Sequence, residues 1–156
     1  MNKLFVTVFY SGLFPKAPGT VGTIAALPIG LLALAYLPIE TFWLLIVLVF
    51  VAGARSIDAY QAATGREDPK EVVIDELAGM WIALALLPDA FAWHQVLLAF
   101  LFFRLFDIWK PSIIGKLDSR LKNGYGVMLD DVLAGFFGGI AAVLCIRALE
   151  FAGAGF

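Results

Sequence analysis

Leu129-Asp-Asp-Val-Leu-Ala-Gly-Phe-Phe-Gly-Gly-Ile-Ala-Ala-Val-Leu-Cys-Ile-Arg-Ala-Leu149 decides the fold. A straight membrane crossing takes roughly 20 predominantly apolar residues, and this stretch supplies them. It also opens on two adjacent carboxylates, which an apolar layer tolerates only when they are paired, metal-bound or functional. Outward from it, four further apolar segments can be drawn, at residues 20–37, 39–54, 72–87 and 93–109. Hydrophobic residues make up 62% of the 156 and charged residues 15%. Ordinary soluble domains have about 45–50% and about 25%. With a mean hydropathy of +0.91, the expected fold is all-α, a multi-pass transmembrane helix bundle of about four to five spans. One domain, 1–156, is expected to hold it.

Pro38 and the Pro88-Asp89 pair mark tight turns, whereas 55–71 and 110–128 form two long polar connections. Residues 3–14 suit an N-terminal interfacial helix, since Lys3, Tyr10 and Ser11 interrupt an apolar run. Residues 15–23 resemble no small-residue cleavage site, so this start is read as retained, not as a signal peptide. Cys145 is the single cysteine, which excludes a disulfide framework and a cysteine zinc site.

Charge placement assigns sides. Five crossings put both polar connections and the N-terminal segment on one face, with ten of the eleven basic residues; only Arg147 lies toward the other. Basic loops mark the cytoplasmic side of a membrane protein. The same threading gathers Asp75 and Glu76, Asp107, and Asp130 and Asp131 on that face, while Glu40, Asp89 and Glu150 fall on the far one. Gly22, Ala26 and Gly30 share a stripe on the first segment, as do Gly135 and Gly139 on the last, beside Gly138 and Ala142. Small-residue stripes let backbones approach closely in lipid, and packing is their expected role. A short internal echo links Ile74-Asp-Glu-Leu-Ala-Gly79 with Leu129-Asp-Asp-Val-Leu-Ala-Gly135.

Converging carboxylates suit a hard cation such as Mg2+, which takes oxygen ligands and usually keeps waters and substrate phosphate oxygens. An acid pair at a helix start also has a plain structural reading, as a partner of the positive helix end. Arg104, Asp107 and Lys110 are spaced by three and share one helix face. They read either as a headgroup-level ion ladder or as a metal ligand flanked by two phosphate contacts. Pro15-Lys-Ala-Pro-Gly-Thr-Val-Gly-Thr23 runs straight into a helix start and reads as a phosphate cradle around Lys16, Thr20 and Thr23. The only histidine, His94, falls at the far face, which argues against a histidine-nucleophile phosphatase. No Cys-x5-Arg loop or P-loop is present. Metal-assisted phosphoryl chemistry remains.

Four stretches carry a family likeness: Pro15-Lys-Ala-Pro-Gly-Thr-Val-Gly-Thr23, Val73-Ile-Asp-Glu-Leu-Ala-Gly79, Phe103-Arg-Leu-Phe-Asp-Ile-Trp-Lys-Pro111 and Gly126-Val-Met-Leu-Asp-Asp-Val-Leu-Ala-Gly135. Together, in this order, the chain resembles the phosphatidylglycerophosphatase A family. Those small bacterial membrane phosphatases convert phosphatidylglycerophosphate to phosphatidylglycerol. One departure is visible, since Ser112 follows Lys110-Pro111 where the family tends to have a second proline nearby.

The resemblance implies Mg2+ dependence, a phospholipid substrate and the bacterial inner membrane, and the basic residues put the site on the cytoplasmic side. It puts Asp75, Glu76, Asp107, Asp130 and Asp131 among the metal-binding and catalytic positions, with Asp131, Asp107 and Asp75 as the catalytic choices. Lys110 is the implied phosphate contact, with Lys16, Arg104, Thr20 and Thr23 as further substrate contacts. Trp81, Trp93 and Trp109 are expected at the interfaces. No nucleic-acid partner is expected, and the glycine stripes leave an oligomer open. The alternative is a small membrane transporter or ion channel with an acidic site, or an assembly subunit. A conduction path, however, needs polar groups through the bilayer depth, and here they hug one surface.

Overall fold

Helix ends in this chain follow turn chemistry more than hydropathy. The computed structural model describes residues 2–66, 69–109 and 123–153. These hold α1 (Asn2–Val6), a 3-10 turn (Ser11–Leu13), α2 (Pro18–Tyr36), α3 (Ile39–Thr64), α4 (Ile74–Ala85), α5 (Trp93–Trp109) and α6 (Gly124–Phe151). No strand occurs among the described residues. Leu37, preceding Pro38, is extended and ends α2, as a pre-proline residue should.

Two of the expected polar connections are partly helical. Arg55–Thr64 continues α3, because that stretch contains no helix breaker before Gly65. There a left-handed glycine (φ 67°) stops the helix, and its N–H donates to the Gln61 carbonyl at 2.9 Å. Hydropathy had marked where the helix leaves the apolar layer, not where it ends. Likewise α6 begins at Gly124, five residues before the apolar run. Asn123 caps it by accepting from the Gly126 N–H (3.0 Å), and Asp58 of α3 accepts the Gly124 N–H at 2.6 Å. Asp130 and Asp131 therefore lie inside α6 and do not cap its start. Segment 93–109 matches α5 as expected.

Three helices, α2, α3 and α6, are long and apolar enough to cross a membrane, and α5 has 17 residues. The third expected span is different. With 12 residues α4 rises only about 18 Å against a hydrocarbon core of about 30 Å. Nine of its residues are buried, because α2, α3, α5 and α6 all pack on it. It is the central post of the bundle.

Close contact around that post comes from small residues. A Cβ on Gly135 would lie 2.1 Å from the Gly79 carbonyl oxygen, and one on Gly138 2.7 Å from the Phe103 nitrogen. On the opposite side Gly30 faces the Trp81 ring at 2.7 Å from such a Cβ, and Trp81 donates its indole N–H to the Ala26 carbonyl at 2.9 Å. Trp81 is thus 4% exposed and internal, not an interfacial anchor; its N–H meets α2, so burial leaves no donor stranded. Trp93 and Trp109 are exposed.

The N-terminal segment is not one interfacial helix. After α1 the backbone turns left-handed at Val8, Phe9 and Tyr10 (φ 43°, 55° and 68°). This hook packs inward: Val6 and Thr7 are fully buried, and the Val6 carbonyl accepts the Val73 N–H at 2.9 Å.

The crossing predicts its own sensitivity. Gly135→Ala must push α4 and α6 apart and should cost about 1–3 kcal/mol. Leu144→Ala, at an exposed α6 position, should leave the melting temperature in detergent nearly unchanged; thermal unfolding of both variants checks the contrast.

Candidate active site

The register of the crossing follows from two contacts. Gly135 meets Gly79, and four residues on, Gly139 meets Ala83. Equal steps on both helices mean that α4 and α6 run parallel here. Asp75 and Asp131 each lie four residues, about one turn, before their glycine. The two acid-bearing turns therefore sit side by side at one end of the bundle. The echo between the two sequences has this physical content: like motifs placed in register.

One oxygen each from Asp75, Glu76 and Asp131 lies within 4.8 Å of the others. Asp75 Oδ1, Glu76 Oε2 and Asp131 Oδ2 are buried with no hydrogen-bond partner. Buried polar atoms are nearly always satisfied, so an unpartnered buried oxygen on each of three clustered carboxylates suits a cation's ligand set. Hard oxygen donors at this spacing fit a divalent ion such as Mg2+.

Antiparallel α5 brings Asp107 to the same level, where it shares a cavity wall with Asp75 and Asp131. Asp107 is ion-paired with Arg104 through Nη1, both side chains being 14% exposed. That guanidinium also reaches α2: Nη1 lies 3.4 Å from Thr23 Oγ1, and the Thr23 hydroxyl donates to the Gly19 carbonyl at 2.8 Å. Arg104 Nε is buried and unpartnered. A cavity of about 430 Å3 opens over these groups. It is lined by the four carboxylates already named, by Asp130 and Arg104, and by Gly19 at the start of α2 and Lys70 from the α3–α4 connection. No side chain caps α2, whose first turn borders the cavity. Gly19 makes room there, since a Cβ would lie 2.3 Å from Glu76 Oε1.

The expected residues thus separate. Asp75, Glu76 and Asp131 come together; Asp107 and Asp130 line the same cavity, Asp107 engaged by Arg104. Thr23 is fully buried with its proton directed to Gly19, so its link to the cavity runs through Arg104. Thr20 is half-buried and Lys16 exposed, both beside the α2 start but not in the cavity wall. Lys110 lies outside the described residues. The sequence reading had not assigned Lys70, Gly19 or Asp58 to the site. For Lys70 the signal was its place five residues before Asp75; for Asp58 none existed, because the tie to Gly124 spans 66 positions.

The phosphatidylglycerophosphatase A family description matches residues 4–146. The chain belongs to this family. A phosphatidylglycerophosphatase A of Haemophilus influenzae is 37% identical over 95% of the chain and 88% of its own length. That of Escherichia coli is also 37% identical, over 85% of the chain and 76% of its own. A putative phosphatidylinositol-3-phosphatase of Bacteroides thetaiotaomicron is 42% identical over 86% of each. No solved structure matches the chain.

Repulsion among the three carboxylates gives a test without substrate. In chelator, Asp131→Asn should raise stability by about 1–3 kcal/mol, given like charges near 5 Å apart in a partly buried site. Asp107→Asn should lower it by about 2 kcal/mol, because Arg104 loses its partner. Thermal melts in detergent with excess chelator read both signs.

Proposed function

We propose that the chain hydrolyses the terminal phosphomonoester of phosphatidylglycerophosphate, giving phosphatidylglycerol and phosphate, at the cytoplasmic face of a bacterial inner membrane. The observation that carries this reading is the meeting of three orphaned carboxylate oxygens with an arginine in one cavity at one end of an apolar bundle. Family membership supplies the reaction class. The cytoplasmic assignment rests on the basic residues that the order of apolar segments puts on that face.

Asp75, Glu76 and Asp131 would hold Mg2+, with Asp130 close by in the same wall. Bound there, the ion would polarise the phosphoryl group and offset its charge. Arg104 keeps its Nε proton for a phosphate oxygen while Nη1 holds Asp107. The uncapped first turn of α2 presents backbone amides to the same anion. Lys70 in the cavity wall adds positive charge, with Lys16 beside the α2 start. Asp107 stands nearest Arg104 and outside the triad, where it takes the proton of the attacking water. As the water oxygen bonds to phosphorus, the bond from phosphorus to the glycerol oxygen breaks. The proton then passes to that oxygen, which leaves as the alcohol.

The transport alternative finds little polar continuation among the described residues, where buried Gln95 is tied to the Asp89 N–H at the far end. Beyond the glycine crossing the interior is filled by Ala83, Leu84, Ala99 and Phe103, all buried.

Purified protein in detergent should release phosphate from phosphatidylglycerophosphate only with a divalent cation, and Asp131→Asn should lower the rate at least about 100-fold. Phosphatidylinositol 3-phosphate, named for the Bacteroides relative, should be the poorer substrate by kcat/KM; a reversed preference would overturn the substrate assignment. Mg2+ should also raise the melting temperature of the unsubstituted protein, by mass action on the folded state. Asp131→Asn should lose that shift.

A further inference from the structure

A lipid substrate brings its tail as well as its phosphate, and the bundle has one path that joins the two. Helices α2 and α5 both pack on α4 but hardly on each other. The furrow between them is walled by Ile24 and Leu27 of α2 and by Val96, Leu97 and Phe100 of α5. Leu101, Leu105 and Ile108 line a second apolar trough on α5 alone, which meets the acid cavity at Arg104 and Ile108; Arg104 stands one turn beyond Phe100 of the furrow. Arg104 is the one charged residue in this wall. It stands where an apolar channel becomes a polar cavity, as a phospholipid's phosphate stands between tail and headgroup.

The dimensions agree. From Arg104 to Trp93, at the far end of the furrow, α5 rises about 16 Å. One leaflet's hydrocarbon is about 15 Å deep, half of a core of about 30 Å. Ile24, Leu97, Leu101 and Leu105 are each about half exposed within the bundle, so their side chains form an open trough. The trough is open along the membrane plane, and its head is at the carboxylates.

We infer that the α2–α5 furrow binds an acyl chain of the substrate and admits the lipid sideways from the bilayer, with Arg104 at the junction of tail and phosphate. This rests on the phosphatase reading above. A chain held there gains from apolar burial along the furrow and keeps the phosphoryl group at the site. The residues of the furrow bind; they take no part in the chemistry.

The test compares long-chain phosphatidylglycerophosphate in mixed micelles with a soluble short-chain analogue of the same headgroup. Leu97→Trp and Ile24→Trp each fill the furrow from one wall, at positions exposed enough to fold. Both should raise KM for the long-chain lipid about tenfold at unchanged kcat, the pattern of lost substrate binding. The kcat/KM for the short-chain analogue should stay as in the unsubstituted protein. Leu44→Trp, on an exposed face of α3, should change neither.

An unchanged long-chain KM in both furrow variants overturns the inference. So does an equal loss on both substrates, or a Leu44→Trp effect as large as theirs. If the unsubstituted protein releases phosphate from neither substrate, the phosphatase reading itself falls, a result distinct from a working enzyme indifferent to the furrow.

Discussion

Backbone contact between Gly79 and Gly135 is the constraint on which the rest of the structure depends. Helices in lipid gain little from excluding water and associate through close packing, so two glycines that let α4 and α6 touch are worth more than their size suggests. The contact fixes distance, direction and register together. Once it is made, the turns carrying Asp75 and Asp131 are neighbours without any attraction between them. The packing outweighs a repulsion that would otherwise drive the acids apart.

Around that crossing the charges are managed in two ways. Asp107 has a protein partner, Arg104, itself braced by Thr23 of α2. In the triad, Asp75 Oδ1, Glu76 Oε2 and Asp131 Oδ2 have no hydrogen-bond partner. Among the described residues of the cavity, one carboxylate has an ion-pair partner and three neighbours each keep an unpartnered oxygen, a set that suits an external cation. Arginine suits the bridging role, because its planar fork can hold a carboxylate and still present a further donor.

Much of this was legible from residue order. The apolar segments gave the helical bundle, and the far-spaced acids, read with the turn positions, gave their convergence on one end. The small-residue stripes were rightly read as packing surfaces: Gly22, Gly30, Gly135 and Gly138 all press on neighbours. Other features were not legible, for identifiable reasons. Hydropathy registers the solvent around a helix and is blind to its continuation into water, so Arg55–Thr64 looked like loop. Segment 72–87 had the composition of a span, but composition cannot distinguish a helix facing lipid from one enclosed by four others. Trp81 looked like a headgroup anchor because a tryptophan near an apolar segment usually is one; its partner, the Ala26 carbonyl, is 55 positions away.

A short central helix creates a difficulty of its own. About 18 Å of α4 cannot reach through about 30 Å of hydrocarbon, so at least one of its ends lies below the membrane surface. Backbone polar groups at such a depth have little water to turn to. At the acid end the first residues of the chain act as a substitute solvent. Their left-handed hook brings the Val6 carbonyl to the Val73 N–H just ahead of α4. What composition suggested was a raft floating at the interface is, in the fold, an internal lining that lets a buried helix begin.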